Sequence, residues 1–312
     1  MSELDVAEHL RADALSSSDI ASRMNIDPSM THRLLRAAAL GFVVFNPETS
    51  RFARTAMLDV LDGESPLSLK HYAQTAGSEV SWMPGMRMTD TVRAGRDHTQ
   101  DVLGCSPFEF FAEDDSAARV FSLAMTEIST PVIAEAVLAI EPDGARTVVD
   151  VGGADGAFVA HLLKMHNQLS GVVLDLPQAM SGVESESRRR SLQDRITGVA
   201  GDFFREIPSA DIYLLKFILH DWDDESCRQI LTNVHTSMGP RARLFVVDMT
   251  TDDGSVEAAM MDMGMMAAFT GQERNTDHLR SLLASAGLRT VRTSRLHQPY
   301  IVIEAMPLDV EP

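Results

Sequence analysis

The residues best suited to acid–base chemistry lie just after an apolar run near the middle of the chain. His220 follows directly on residues 212–219, a run interrupted only by Lys216. An imidazole with a pKa of about 6.5 can accept the proton of a hydroxyl with a pKa of about 10 while that oxygen forms a new bond. A carboxylate on the other ring nitrogen would hold the imidazole in the correct tautomer. The simpler alternative is a surface histidine beside a helix that Asp221 or Asp223 caps.

A glycine-rich turn follows the run Thr147–Val151, and glycines there let the backbone approach a ligand closely. The spacing does not fit the dinucleotide fingerprint, because Ala154 stands where the second glycine is needed. Asp175 ends the next apolar run, and its carboxylate could accept hydrogen bonds from both hydroxyls of a ribose. Dinucleotides and S-adenosylmethionine share that ribose, so Asp175 alone does not distinguish them.

Acidic residues around this turn favour a cofactor without phosphate. Asp150, Asp155, Asp175 and Asp202 all lie at or near the ends of apolar runs, and residues 152–157 contain no Lys or Arg. Such a site would repel a phosphate and tolerate a sulfonium. The alternative is that the turn only allows close packing.

The elements that must position these groups change character near residue 140. Beyond it, short β-branched runs alternate with helical patterns, which predicts a parallel sheet buried on both faces. The predicted strands are Thr147–Val151, Gly171–Asp175, Ile196–Ala200, Asp211–Leu215, Arg243–Asp248, Leu288–Arg292 and Tyr300–Glu304. The last two are close enough in sequence to pair antiparallel. We therefore expect a doubly wound α/β sheet with a reversed edge strand, with ligands bound at the carboxyl ends of its strands.

The residues before 140 have helical periodicity with one interruption. Apolar spacing predicts an amphipathic stretch over 4–15 and two helices over 18–38, followed by a hairpin over 42–53. This order is typical of a winged helix. We place a winged-helix domain with linking helices at residues 1–95, and a catalytic domain at 96–312 that includes a helical segment at about 105–140.

Composition restricts the class of protein. The 312 residues carry 27 Lys and Arg against 45 Asp and Glu, a net charge of −18 that argues against nucleic acid or an anionic membrane as the main partner. Two cysteines are too few for a disulfide framework. The apolar runs are shorter than a bilayer span, and the first residues lack the order of an export signal. We expect a cytoplasmic protein.

In combination, these motifs resemble the S-adenosylmethionine-dependent O-methyltransferases of plant phenylpropanoid and bacterial polyketide tailoring. The resemblance covers nearly the whole chain and rests on the segments 150–153, 174–177, 201–203, 219–225 and 271–274. It implies a Rossmann-like class I methyltransferase sheet and a winged helix used for homodimerisation. It also implies S-adenosylmethionine as cofactor, S-adenosylhomocysteine as product, no metal, and methylation of a hydroxyl on a planar aromatic small molecule.

The resemblance assigns a role to individual residues. His220 would be the general base, with its ring oriented by Asp248 and Glu273. The cofactor would contact Gly152, Asp175, Asp202, Phe203, Lys216, Trp222 and Ser129. The acceptor would contact Phe121, Met125, Met265 and Phe269.

Alternatives remain open at several of these positions. Asp248 could merely cap a loop, Glu273 and Arg274 could be a surface pair, and most methionines of residues 260–266 could be ordinary core. At the level of function, a relative could use the cofactor for hydroxylation or decarboxylation, or methylate a heteroaromatic nitrogen. A winged-helix transcriptional regulator is a further alternative, although a protein of this charge is poorly suited to DNA.

Overall fold

The computed structural model describes residues 1–308, which form two compact units. The first comprises Met1–Trp82 and Glu113–Ser129, and the second comprises Met83–Ala112 and the residues from Thr130 onward. One long helix, Asp115–Ala136, contributes residues to both units.

The first unit contains the predicted winged helix. Its elements are α1 (Val6–His9), α2 (Ser17–Met24), α3 (Pro28–Ala38), the hairpin strands β1 (Val43–Asn46) and β2 (Arg51–Arg54), a 3-10 turn (Leu58–Leu61) and α4 (Lys70–Ala76). Ser16 and Asp19 form a capping box at the start of α2, and Asp27 caps α3 by accepting from the backbone of Met30. Ile20 and Leu35, on these two helices, are completely buried together with Phe52.

The predicted amphipathic stretch over residues 4–15 is wrong in length. Only the single turn α1 is helical, because Asp5 before it adopts a left-handed conformation with φ of 43°. Leu15, at the far end of the stretch, instead exchanges two backbone hydrogen bonds with Phe52. The segment therefore extends the hairpin rather than the helix.

Further helices follow along the chain from Glu79 onward. They are α5 (Glu79–Gly85), α6 (Met88–Ala94), α7 (Thr99–Leu103), α8 (Pro107–Glu113), α9 (Asp115–Ala136), α10 (Ala157–Met165), α11 (Met180–Arg189), α12 (Asp224–Ser237), α13 (Val256–Ala268) and α14 (Thr276–Ser285). The helical segment predicted at about 105–140 thus consists of α8, α9 and a closing 3-10 turn (Val137–Ala139).

The second unit contains the predicted doubly wound sheet. Its strands are β3 (Thr147–Val151), β4 (Ser170–Asp175), β5 (Ile196–Ala200), β6 (Ile212–Lys216), β7 (Arg243–Met249), β8 (Leu288–Arg295) and β9 (Tyr300–Pro307). The order across the sheet is β5-β4-β3-β6-β7-β9-β8, and only β9 runs against its neighbours. The reversed strand thus lies between β7 and the edge strand β8, because the chain returns by a hairpin into that gap.

Successive residues of the central strands supply the cores on the two faces of the sheet. Val148 and Leu214 pack into one buried cluster, whereas Val149 and Tyr213 pack into the other. Side chains of a strand alternate between faces, so a continuous apolar run is the signature of a strand covered on both sides.

Helix α9 departs from the expectation that apolar runs are short. With its closing turn it reaches Ala139 and has a mean hydropathy of 1.3, which by length and composition would suffice to cross a membrane. Core helices meet the same criterion. Val132, Ile133 and Ala136 of this helix are buried in the core cluster of the sheet, so we interpret α9 as a packed helix.

Candidate active site

The glycine turn and the histidine segment meet at the centre of the sheet. Gly152 follows β3 and Ile218 follows β6, and these two strands are parallel neighbours at the point where the strand order reverses. Gly152 has φ of +68°, and a Cβ there would lie 2.5 Å from Cδ1 of Ile218. Only glycine fits this position, so the two turns can form one crevice of the kind that binds ligands in open α/β sheets.

Two of the acidic residues hold the glycine turn in shape. Asp150 is buried and accepts from the backbone of Val159 at 3.2 Å, while Asp175 accepts from the backbone of Ala154 at 2.8 Å and of Leu176 at 2.7 Å. Burial raises the pKa of Asp150 to about 7 and also raises the pKa of Asp175. Each carboxylate oxygen has two lone pairs, so Asp175 retains the capacity to accept from a ligand.

Lys216 is the cation among these acids. Its ammonium lies 4.3 Å from the ring centroid of Phe217. Burial lowers the pKa of Lys216, and the charges of Asp150 and Asp155 oppose that effect. The cation thus partly balances a strongly negative crevice.

Asp202 and Phe203, predicted to contact the adenosine, follow β5 and are held in place by hydrogen bonds. Asp202 accepts from the backbone of Phe204 at 2.8 Å, and the side chain of Asn233 donates to the carbonyl of Phe203 at 2.9 Å. This loop is therefore fixed by α12.

An aromatic group surrounds Trp222. The indole is contacted by Phe203 and Phe204, with ring centroids 6.2 and 4.8 Å away, and Phe108 stacks on it with centroids 5.9 Å apart. Phe108 also contacts the edge of Phe269 at 5.7 Å. The predicted adenosine residue Trp222 and the predicted acceptor residue Phe269 are thus linked by one ring that the sequence analysis did not assign to the site.

His220 lies on a 3-10 turn (Leu219–Asp221) just beyond β6, surrounded by three carboxylates. Its Nδ1 lies 2.8 Å from Oε1 of Glu273 and 3.8 Å from Oδ1 of Asp248, and its Nε2 lies 3.5 Å from Oδ1 of Asp221. The side chain of Glu273 is completely buried, and that of His220 is 12% exposed. Nδ1–H therefore donates to Glu273, which leaves Nε2 as the nitrogen available for proton transfer.

The carboxylates determine the protonation of this histidine. Burial by itself would lower the pKa of His220, but the charges of Asp221 and Asp248 and the hydrogen bond to Glu273 raise it to about 10. Burial in turn raises the pKa of Asp221 to about 6 and also raises that of Asp248. The three carboxylates therefore favour the imidazolium, and His220 acts as a base only when Nε2 carries no proton.

The surface alternatives for these residues are wrong. Arg274 is 3% exposed and Glu273 is 5% exposed, so they are not a surface pair. Asp223 does cap α12, by accepting from the backbone of Ser226 at 2.8 Å, but His220 takes no part in that cap. Local sequence could not reveal this burial, because the segments that cover the pair are about 50 residues away.

The remaining predicted residues fall into two groups. Met265 is buried on α13 and Phe269 directly follows that helix, both in the second unit. Phe121, Met125 and Ser129 belong to the first unit, on α9, and their assignments stay predictions.

The expectation that the other methionines of α13 are core is wrong for three of them. Met260, Met263 and Met266 are 62%, 46% and 38% exposed in the single chain. The helix buries a narrow stripe made by Ala258, Met265 and Ala267.

Two further residues belong to this region and were missed from sequence. Asp221 was considered only as a helix cap, although its place beside His220 in the chain was a usable signal. Phe108 gave no signal, because its partners Trp222 and Phe269 are more than 100 positions away.

His220, Asp248 and Glu273 also form a possible ligand set for a metal ion, since one ligand atom of each lies within 4.8 Å of the others. Their arrangement fits an imidazole held by carboxylates equally well, because Nδ1 and Glu273 are already at hydrogen-bond distance.

Comparison with known proteins identifies the family. Residues 86–289 match the O-methyltransferase domain family. The O-methyltransferase SfmM3 of Streptomyces lavendulae is 32% identical over 98% of this chain and 94% of its own length. Among solved structures, the mitomycin 7-O-methyltransferase MmcR superposes with a TM-score of 0.92, at 30% identity over 98% of this chain and 91% of that one.

A second solved structure contains two bound small molecules. The O-methyltransferase NcsB1 of neocarzinostatin biosynthesis, in complex with S-adenosylmethionine and 2-hydroxy-5-methyl naphthoic acid, superposes with a TM-score of 0.86. It is 25% identical, with 98% of this chain and 94% of that one covered. The match extends over both units of the present fold. The chain belongs to the O-methyltransferase family.

Proposed function

We propose that this protein methylates a hydroxyl group of a planar aromatic small molecule, with His220 as the general base. The protein is an S-adenosylmethionine-dependent O-methyltransferase, and S-adenosylhomocysteine is its second product. The observation that carries the role of His220 is its hydrogen bond to the buried carboxylate of Glu273, at the crevice where β3 and β6 end. The aromatic acceptor is supported by the naphthoic acid in the NcsB1 complex.

The residues of the crevice fit the cofactor. A sulfonium is a cation without phosphate. The acids Asp150, Asp155 and Asp175 lie at or near the carboxyl ends of β3 and β4, where they would attract such a cation. We infer that Gly152 lets the backbone approach the methionine moiety and that Asp175 accepts from the ribose hydroxyls. Asp202, Phe203, Lys216 and Trp222 would complete the adenosine site, and Ser129 would contact the cofactor from α9.

The cofactor supplies a methyl group on a positively charged sulfur, and an in-line displacement moves that methyl to the acceptor oxygen. Nε2 of His220 accepts the proton that the hydroxyl releases as the new bond forms. Nδ1 then shares its proton with Glu273, and the charge of Asp248 stabilises the imidazolium. Holding the acceptor in line supplies about several kcal/mol of the barrier reduction, for which we assign Phe121, Met125, Met265 and Phe269.

The carboxylates around His220 favour its protonated form. A hydroxyl that readily loses its proton is therefore the acceptor that this histidine serves best. A bound sulfonium would add positive charge to the crevice and so would favour the unprotonated form of Nε2.

We further propose that the protein is a homodimer that acts in the cytoplasm. In support of a dimer, the first unit exposes large apolar side chains, among them Leu40 at 96% and Leu67 at 76%. In support of a reducing compartment, the chain has only two cysteines, too few for a disulfide framework. Light scattering of the purified protein and fractionation of the cells that produce it test these two proposals.

Calorimetric titration with S-adenosylmethionine and S-adenosylhomocysteine, after bound ligand is removed, tests the cofactor site. We expect micromolar binding that Asp175→Asn weakens about tenfold or more, because one acceptor of the ribose is lost. Asp211→Asn is the matched control, since Asp211 also accepts from backbone amides, those of Arg146 and Thr147, but lies at the amino end of β6. Equal binding by wild type and Asp175→Asn would contradict the assignment.

Acceptor specificity is then tested with phenols and aromatic amines of matched shape. Methylation of the phenols alone supports the proposal. Methylation of the amines alone would replace it with N-methylation, and a cofactor-dependent product without a new methyl group would indicate one of the altered chemistries.

A further inference from the structure

Arg274 is a buried charge that the mechanism above does not use. Its side chain is 1% exposed. Its guanidinium donates to the carbonyls of Leu219 and Trp222, each at 2.7 Å, and to Oδ1 of Asp224 at 2.8 Å. A guanidinium is seldom buried without such partners, so these bonds determine where Arg274 lies.

The two carbonyls lie on either side of His220 in the chain. Leu219 precedes His220, and Trp222 follows Asp221. The Leu219 carbonyl also accepts from the backbone of Trp222 at 3.4 Å, and the thiol of Cys227 lies 3.1 Å from the Leu219 carbonyl and 3.5 Å from the Trp222 carbonyl. Arg274 adds the charged donor, and it does so on both sides of His220.

The loop that carries Arg274 contacts the same turn at two more points. Glu273 bonds to Nδ1 of His220 at 2.8 Å. Gly271 packs so closely that a Cβ there would lie 1.9 Å from the carbonyl oxygen of His220. Residues 271–274 and 219–222 therefore form one interlocked pair of loops, and the base and the carboxylate that orients it are fixed by neighbouring residues.

Asp262 supports this loop from the helix assigned to the acceptor. Its Oδ1 accepts from the backbone of Glu273 at 2.8 Å, and it lies on α13 one turn before Met265. The position of Glu273 is thereby set from both α13 and the turn of His220.

We propose that Arg274 is a positioning residue of the methyl-transfer reaction. It holds the backbone around His220 so that Nδ1 stays within hydrogen-bond distance of Oε1 of Glu273. The proposal rests on the proposed role of His220 as base. If a residue only stabilised the fold, its substitution would lower thermal stability and leave the kcat and pH profile of the folded enzyme unchanged. A positioning residue also changes the protonation of His220, because the bond to Glu273 helps to set its pKa.

The test compares Arg274→Lys with Arg195→Lys. Lysine keeps the charge but cannot bond both carbonyls from one planar group, so in Arg274→Lys we expect kcat to fall about tenfold or more, KM for the acceptor to change little, and the midpoint of the pH–rate profile to move to lower pH. Arg195 also donates to backbone carbonyls, those of Leu163, His166 and Leu169, but within the described part of the chain it contacts no residue assigned to the site, so we expect the kcat of Arg195→Lys to stay within about threefold. Loss of thermal stability with an unchanged kcat and pH profile in Arg274→Lys would overturn the proposal.

A double-mutant cycle with His220→Ala separates this proposal from the proposed function. If Arg274 acts through His220, Arg274→Lys has no further effect on turnover in the His220→Ala background. An equal loss in both backgrounds would overturn the positioning role. Wild-type turnover by His220→Ala alone would instead overturn the function. Should Arg274→Lys fail to fold, Arg274→Gln, which keeps a planar amide donor without the charge, is measured instead, with the same two expected changes; an unchanged kcat and pH profile there would count against the proposal.

Discussion

Nδ1 of His220 lies 2.8 Å from Oε1 of Glu273, and the chain repeats this geometry at its surface. Nδ1 of His297 lies 2.8 Å from Oε1 of Glu135. The two pairs differ in burial, because the side chains of the first are 12% and 0% exposed and those of the second are 39% and 43% exposed. Water screens the second pair, whereas the first acts at low effective dielectric. The surface pair is therefore an internal control for the buried one.

Removing the charge of Glu273 is expected to slow methyl transfer. Glu273→Gln keeps the shape and one acceptor but no longer stabilises an imidazolium, so we expect kcat to fall by about 10- to 100-fold. Glu135→Gln should stay within about twofold of wild type, because exposed pairs contribute little. Steady-state kinetics with one phenolic acceptor measure both variants. Equal effects of the two substitutions would contradict the special role of the buried pair.

The rate is expected to increase with pH. A base must be unprotonated, and the pKa of His220 is raised to about 10 in the protein alone, so the active fraction grows as pH rises through neutrality. A bound sulfonium would oppose this shift, so we expect the midpoint to lie below about 10. The measurement is kcat/KM for an acceptor that does not itself titrate in this range, at saturating cofactor. A rate that falls as pH rises from 6 to 8 would contradict the prediction.

Metal removal is expected to have no effect. The possible ligand set of His220, Asp248 and Glu273 is, in our interpretation, occupied in holding the imidazole. Activity after dialysis against a chelator should equal that of the untreated enzyme, and added Mg²⁺ or Zn²⁺ should not increase it. Loss of activity on chelation that a divalent cation restores would show that these residues bind a metal.

Phe108 is expected to support cofactor binding through Trp222. Phe108→Leu removes a stacked ring worth about 0.5–1.5 kcal/mol, which corresponds to a Kd for S-adenosylmethionine weaker by about two- to tenfold. Phe110→Leu is the matched control on α8, because the ring of Phe110 contacts Phe111 rather than Trp222. Calorimetry measures both. Identical Kd values for the two variants would argue against a role for the stack.

Sequence patterns located the parallel strands to within one residue and the last two strands less well. Thr147–Val151 and Ile196–Ala200 have the predicted ends although the first is central and the second is an edge strand, so the β-branched run itself was the signal. Strand β8 continues three residues past the predicted Arg292, through Thr293, Ser294 and Arg295. Those residues are polar because an edge strand is partly exposed, so hydrophobic periodicity could not include them.

The candidate site likewise has features that sequence could predict and features that it could not. The proximity of the segments that carry Gly152 and His220 could be predicted because strand ends in a doubly wound sheet must lie near one another, whereas the roles of these residues rest on the family resemblance and stay predictions. The burial of Arg274 could not be predicted, since it depends on carbonyls of a turn about 50 residues away. Its residue type suggested the surface, and only the tertiary fold supplies the partners that allow burial.

The central claim is that His220 accepts the proton of the acceptor hydroxyl. Its most direct test is single-turnover methyl transfer by His220→Ala, with the cofactor bound in advance and the acceptor added in excess. We predict a rate lower by about 100-fold or more, an unchanged Kd for S-adenosylmethionine, and a wild-type rate for the control His297→Ala. Transfer by His220→Ala at the wild-type rate would contradict the account.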